Sequence, residues 1–343
     1  MKILFIGDLN EYGRSFQRFR ALADLGNEVK GFSMVPVPFV PGIDKSIFLE
    51  RLFWKLKLPI DSTGVNKKIH QAIKNEKFDI IWIEKGNTIK PKTLSFIKKN
   101  QPQAKLVSVS EDDMYAKHNR SFYYDLGLKY YDIVFTTKVY NLEELKILGA
   151  KRTELFLDSY DENAHWPMNL TDEDIKNFSC DVGFIGTFEN DRAEKMLFLA
   201  ENGIKVVVWG NGWGAWIDKN PNLIIKNKPL YSDDYAKAIS AAKINLCFLR
   251  KINRDEITSR SVEIPACGGF MIAERTKRHL DFFEEDKEAV FFETEKELLE
   301  KVKKYLIDDK ARLKIAANGR ERCIKSGYNT QNQLQIIIKK IIL

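Results

Sequence analysis

At 343 residues, 44% hydrophobic and 30% charged, the chain has the composition of a soluble globular protein and exceeds the size at which a single core stops growing, so two domains are expected. No apolar stretch reaches the roughly 18 residues that span a bilayer, and the start MKILFIGDLNEYG lacks the leader and cleavage site of a signal peptide. A net charge of +7 is a mild bias that argues against a nucleic-acid role, and Cys180, Cys247, Cys267 and Cys323 form no C-x-x-C pair, which argues against a zinc site or disulfide framework and fits a reduced, cytoplasmic setting.

In chain order, KILFIGDLN reads as a buried parallel strand, and Phe16, Phe19, Leu22 and Leu25 then fall at helical spacing. Gly26 to Val29 ends that helix and opens another strand, the βαβ rhythm of a doubly wound α/β sheet. Ser46 to Leu58 (SIFLERLFWKLKL) mixes large apolar side chains with Lys45, Arg51, Lys55 and Lys57. It predicts an amphipathic basic helix, to be packed on the core, set at an acceptor cleft or laid on anionic lipid. Phe78 to Glu84, Lys105 to Val109 and Asp132 to Thr136 read as further strands. A polar break over Asp158 to Asn177 contains Asp161, His165 and Pro167, with His165 read as a packing residue. The rhythm then restarts at Cys180 to Gly186 and continues through Lys205 to Trp209, Ile244 to Leu249 and Phe270 to Ala273. Thr330 to Leu343 carries Leu334, Ile337, Ile338, Ile341 and Ile342 on one helical stripe.

The most telling stretch is Asp255 to Gly269, DEITSRSVEIPACGG, in which seven residues separate Asp255 from Glu263 and a glycine turn follows. A carboxylate near a helix start and a close-approach glycine turn suit a polyhydroxylated, phosphorylated ligand. Asp255, Glu263 and Ala266-Cys267-Gly268 resemble the E-x7-E motif and its "EAMACG" tail in family-four-like GT-B glycosyltransferases (glycosyl transferases group 1), closest to the spore-maturation-type branch. The chain departs from that pattern in carrying Asp255 where the family usually has Glu, with Glu256 beside it.

The resemblance implies a GT-B fold, two Rossmann-like domains whose parallel sheets face a central cleft. The expected division is an acceptor domain over 1–160, a nucleotide-sugar domain over 161–329 and a terminal helix over 330–343 that crosses back to the first domain. It implies that Glu263 holds the ribose and that Asp255 or Glu256 contacts the donor sugar. Basic side chains would meet the diphosphate, with Arg192, Lys195, Arg250, Lys251, Arg254 and Arg260 as candidates, because no D-x-D motif stands where a metal would be held. Thr258 and Ser259, the turn Gly186-Thr187 and the pair Gly268-Gly269 would approach the phosphates. In the first domain, Gly13, Arg14 and Ser15 resemble the family's glycine-bearing loop. Asp112 and Asp113 follow a strand where the family often has "HD", and either could bind the acceptor, do acid/base work or cap a helix; His118 is close in sequence.

These readings predict a retaining, metal-independent, cofactor-free transferase that moves a sugar from a nucleotide sugar to a glycan, lipid-linked or protein acceptor. Nucleic acid is not expected as a partner. The location would be cytoplasmic, with peripheral contact at the inner face of the membrane through Ser46 to Leu58. The alternatives are a nucleotide-sugar epimerase on the same fold and a non-catalytic sugar-binding or surface-assembly protein. A dehydrogenase is disfavoured because no G-x-G-x-x-G follows a strand.

Overall fold

The computed structural model describes residues 1–38 and 48–343; Lys45, Ser46 and Ile47 of the amphipathic segment lie outside the described residues. The chain divides into two compact units, Met1–Leu157 with Thr330–Leu343, and Asp158–Asn329.

The first unit runs β1 (Lys2–Gly7), α1 (Arg14–Asp24), β2 (Glu28–Ser33), α2 (Phe48–Lys55), α3 (Val65–Asn75), β3 (Ile80–Glu84), α4 (Pro91–Asn100), β4 (Lys105–Ser110), α5 (Phe122–Gly127), β5 (Ile133–Thr136), α6 (Asn141–Ile147) and β6 (Thr153–Leu155). Its six strands pair in parallel in the order β2-β1-β3-β4-β5-β6. Apolar runs such as KILFIG and IIWIE suit a sheet covered on both faces, because alternate side chains leave on opposite sides. Leu4 and Ile6 of β1 join one core cluster with Val65, Ile69 and Leu94 of α3 and α4. Ile3 and Phe5 join another with Leu22 of α1.

The second unit runs α7 (Asp172–Phe178), β7 (Cys180–Ile185), α8 (Asn190–Glu201), β8 (Val206–Trp209), β9 (Leu223–Ile225), α9 (Ser232–Ala241), β10 (Ala242–Cys247), α10 (Arg260–Ala266), β11 (Met271–Glu274), α11 (Lys277–Phe282), β12 (Val290–Phe292), α12 (Glu295–Ile307) and α13 (Asp309–Lys325). These strands are again parallel, in the order β12-β11-β10-β7-β8-β9. Val206 and Val208 face the cluster of α8 and α12, while Val207 and Trp209 face Leu230 and Ala238 on the other side.

The last helix, α14 (Thr330–Ile342), belongs to the first unit, where Leu334, Ile337 and Ile341 complete the face carrying Ile3 and Phe5. Two details differ from the sequence reading. β10 ends at Cys247 rather than Leu249, because the Leu249 N–H turns from the ladder to the Glu274 carboxylate at 3.4 Å. The basic segment α2 buries none of its residues, so it does not pack on the core.

Candidate functional site

The densest gathering of candidate residues lies at the carboxyl ends of β7 and β10 in the second unit, the edge at which ligands bind in open α/β sheets. There the Gly186-Thr187 turn is held by its backbone: Gly186 donates its N–H to the Trp209 carbonyl and accepts from the Trp213 indole at 2.9 Å. Gly210, at φ +147°, passes so close that a Cβ on it would sit 2.0 Å from the Gly186 oxygen. Only glycine fits that crossing.

Two arginines lie over one face of this turn. The Arg192 and Arg260 guanidinium carbons stand 5.5 and 5.6 Å from the Phe184 ring centre. Arg192 is 2% exposed, reaches Glu189 Oε2 at 3.2 Å, and donates to the Thr187 and Leu249 carbonyls. Burial first, and Arg260 second, push its pKa down to about 10. Arg192, expected as a phosphate grip, is buried, with the Thr187 and Leu249 carbonyls and Glu189 as neighbours, and its Nε has no hydrogen-bond partner. Arg260, at the start of α10, is partly exposed beside Gly186 and is the cation closer to solvent. Lys195 pairs with Asp191 at 2.6 Å, Arg250 with Glu189 at 2.6 Å, and Lys251 with Glu274 at 3.0 Å. Arg254 takes a left-handed conformation, φ +51°, at the end of a short turn that begins at Lys251.

Glu263 sits in the first turn of α10, 9% exposed, and its carboxylate is oriented from two other elements. The Tyr235 hydroxyl of α9 donates to Oε2 at 2.7 Å. His165 Nδ1 accepts the Asp161 N–H at 2.9 Å, which leaves the ring proton on Nε2, 3.9 Å from Glu263 Oε1. Burial and the adjacent Glu263 raise the Tyr235 pKa well above its usual value, so the phenol stays a donor. His165, read from the sequence as a packing residue, is therefore a neighbour of the carboxylate expected to grip ribose. Tyr235 and Glu189 were not legible at all, since neither belongs to a local motif.

Between the acids, the loop before α10 is pinned from inside. The Thr258 N–H donates to Ser261 Oγ at 3.2 Å, and Ser261 Oγ lies 2.7 Å from His279 Nε2. His279 Nδ1 lies 2.6 Å from the Glu274 carbonyl, which can only accept, so Nδ1 carries the proton and Nε2 accepts the serine hydroxyl. Burial lowers the His279 pKa to about 4, fixing the neutral ring. The Ser259 carbonyl accepts from Val262 and Glu263, opening the helix. The Asp255 N–H bonds to the Arg250 carbonyl at 3.2 Å, and the Glu256 carbonyl accepts from the Thr276 hydroxyl. The backbone thus holds both acids in one loop between β10 and α10.

A Cβ on Gly268, at φ +74°, would lie 3.3 Å from Pro167, and one on Gly269 would lie 2.6 Å from Ile239 and 2.9 Å from Asn245 Nδ2. These close approaches suit a turn from helix to strand. Among the described residues no group of three or more His, Cys, Asp or Glu is placed to hold a metal ion.

In the first unit, Gly13 is the residue before α1 and Ser15 lies in its first turn. Arg14, expected to face a ligand, is taken by Glu111: its Nε lies 2.7 Å from Oε2 and its Nη2 2.8 Å from Oε1. Glu111 also accepts from Arg18 at 2.7 Å, and Arg18 grips Glu84 in two bonds of 2.9 and 2.6 Å. Burial alone would raise Glu111, but Arg14 and Arg18 hold it well below the usual carboxylate range. Asp112 pairs with Lys85. Asp113 is fully buried and accepts from the Tyr115 and Ala116 N–H groups of a turn and from Asn141; it caps no helix, since α5 begins at Phe122 with Ser121 as its cap. His118 lies on the exposed side of the same loop.

Residues 192–339 match the glycosyl transferase-like family. No curated protein sequence matches the chain. Among solved structures, sucrose-phosphate synthase from Thermosynechococcus elongatus is similar with a TM-score of 0.69 at 13% identity, covering 100% of this chain and 99% of that one. HepE from Anabaena in complex with UDP-glucose gives 0.65 at 13% identity, with 99% of each chain covered. An alpha-glucosyltransferase in complex with UDP-glucose and DNA gives 0.67 at 14% identity, again with 99% of each covered. The family match thus covers 192–339, less than half of the chain, and with these structures the chain shares the GT-B fold of two Rossmann-like units.

Proposed function

We propose that this protein is a glycosyltransferase that binds a nucleotide sugar at the carboxyl edge of the second unit's sheet and passes the sugar, with retention of configuration and without a metal ion, to a glycan, lipid-linked or protein acceptor. The observation that carries the reading is Glu263, a nearly buried carboxylate in the first turn of α10 that accepts from the Tyr235 hydroxyl, has His165 Nε2 3.9 Å away and follows by three residues the Arg260 whose guanidinium lies at Gly186. A carboxylate accepts both hydroxyls of a ribose in two hydrogen bonds. The UDP-glucose complex of the similar HepE supports a nucleotide sugar as the donor class.

In this mechanism the charge that develops on the departing diphosphate is met by Arg260, with Arg192 behind it. Arg192 is already disfavoured as a cation by burial and by Arg260, so an anion beside the pair relieves that cost. Asp255 or Glu256 orients the sugar. The acceptor oxygen attacks from the side the nucleotide leaves, and the leaving phosphate takes its proton. Acceptor binding falls to the first unit, with His118 and Asp112 on its loop, and peripheral membrane contact through Ser46 to Leu58 belongs to the same reading.

The test is a calorimetric screen of UDP, GDP, dTDP, ADP and CMP against wild type, Glu263→Ala and Arg260→Met, with and without EDTA. One nucleotide is expected to bind wild type regardless of EDTA and to be lost in Glu263→Ala. Arg260→Met should weaken the diphosphate by about tenfold while leaving the matching nucleoside unchanged, as loss of a charge-assisted contact implies. Binding of none of the five would end the transferase reading. Release of an altered sugar from the donor without acceptor would replace it with epimerisation.

A further inference from the structure

The loop carrying Asp255 and Glu256 has little to hold it by itself. The helix it enters, α10, is seven residues long, contains Pro265 and begins at Ser259 with no side-chain cap. A helix that short and uncapped is marginal on its own. The loop is held instead from a neighbouring corner, where β11 passes into α11, and three residues there reach it at three points. The Glu274 carboxylate, 6% exposed, accepts from Lys251 Nζ at 3.0 Å and from the Leu249 N–H at 3.4 Å. The Thr276 hydroxyl donates to the Glu256 carbonyl at 2.5 Å, and its oxygen accepts the His279 N–H at 3.0 Å. His279 is fully buried, with its ring stacked on Phe291 at 5.4 Å, and it meets Ser261, whose hydroxyl oxygen accepts the Thr258 N–H.

The direction of these bonds is fixed. The Glu274 carbonyl can only accept, so His279 Nδ1 donates to it and Nε2 accepts; Ser261 gives its one proton to the ring and a lone pair to Thr258. A buried chain with a single arrangement of its protons is strengthened by each member. Thr276 acts on the same loop two residues earlier, where its hydroxyl fixes the peptide plane between Glu256 and the buried Ile257. Glu263 takes its orientation from elsewhere: Tyr235 of α9 donates to it, and His165 stands beside it. The corner therefore bears on the acids of the loop and not on the acid of the helix.

We infer that Thr276 and His279 are positioning residues for the sugar half of the donor: they hold the 255–258 loop so that Asp255 or Glu256 meets the sugar, while the nucleotide half is gripped without them. This rests on the donor reading and assigns a selective effect to a corner that touches no part of the donor in that reading.

The experiment is calorimetry on the full chain with UDP, GDP, dTDP, ADP and CMP, and with UDP-glucose, GDP-mannose, dTDP-glucose, ADP-glucose and CMP-N-acetylneuraminate. Wild type, Thr276→Val, Thr276→Ser and His279→Phe are compared on the nucleotide and nucleotide sugar that bind. Thr276→Val keeps the shape and loses the hydroxyl. It should bind the nucleotide within about twofold of wild type and the matching nucleotide sugar roughly 5- to 10-fold more weakly, the usual worth of one such bond. His279→Phe keeps a ring on Phe291, loses both bonds and should show the same split. Thr276→Ser returns the hydroxyl and should return the affinity. Equal losses on nucleotide and nucleotide sugar, with a lower Tm, would make the corner structural only and overturn the inference. Nucleotide-sugar affinity unchanged in Thr276→Val overturns it too, and leaves the donor reading intact. Binding of none of the ten by wild type ends the donor reading, and this inference with it.

Discussion

Glu263 was legible in the sequence because spacing and a glycine turn are local signals. Its surroundings were not, because Tyr235 carries no pattern of its own and His165, read as a packing residue, reaches it from another element. The same limit applies in the first unit, where Arg14 looked like a loop cation and proves to be one member of a chain running through Glu111 and Arg18 to Glu84. The arrangement makes Tyr235 a positioning residue for Glu263. Tyr235→Phe keeps the ring in place and removes one hydrogen bond to the carboxylate, so nucleotide affinity should fall by roughly 3- to 10-fold, the usual worth of such a bond. Calorimetry with the preferred nucleotide checks this; equal affinity in the variant would mean that α10 alone orients the acid.

At the scale of elements, the strands with uninterrupted apolar runs were readable, and the three-residue strands β6, β9 and β12 were not. A strand that short carries no period, and its place is set by the neighbour it joins, β5, β8 or β11. Packing at this scale gives a pH prediction through His279, which ties α11 to the start of α10. Its folded pKa, about 4, lies below the ordinary value of 6.5, so the unfolded chain binds the extra proton and stability falls as pH drops from 6.5 toward 4. The full loss is about 3 kcal/mol by the linkage relation. Denaturant titrations from pH 7 to 4 should show it in wild type and not in His279→Asn; parallel curves would locate the acid sensitivity elsewhere. Glu111 has a depressed pKa, so its own contribution fades only at lower pH. A packing test lies in α14, where Ile337 is fully buried against Ile3 and Phe5. Ile337→Ala should cost about 3 kcal/mol. Hydrogen exchange should show the loss in β1 and β3 and leave β7 and β8 protected.

For the whole molecule, two parallel sheets of six strands account for a structural likeness that runs over nearly the whole chain, whereas the family match covers only 192–339 in the second unit and the last helix. Hydrogen exchange with and without the preferred nucleotide should therefore show new protection around Gly186, Leu249 to Glu263 and Tyr235. Protection confined to the first unit would contradict a donor site in the second. The chain leaves the first unit at Leu157, builds the second, and returns at Thr330. During synthesis the early residues of the first unit must wait for α14, made after the second unit. Until α14 emerges from the ribosome, the side of the early sheet carrying Ile3, Phe5 and Leu22 stays uncovered, whereas the second unit has all of its own chain by Asn329 and can close before it. A nascent chain stalled just short of Thr330 would thus carry a finished later half and a sticky earlier one, a state that chaperones should recognise.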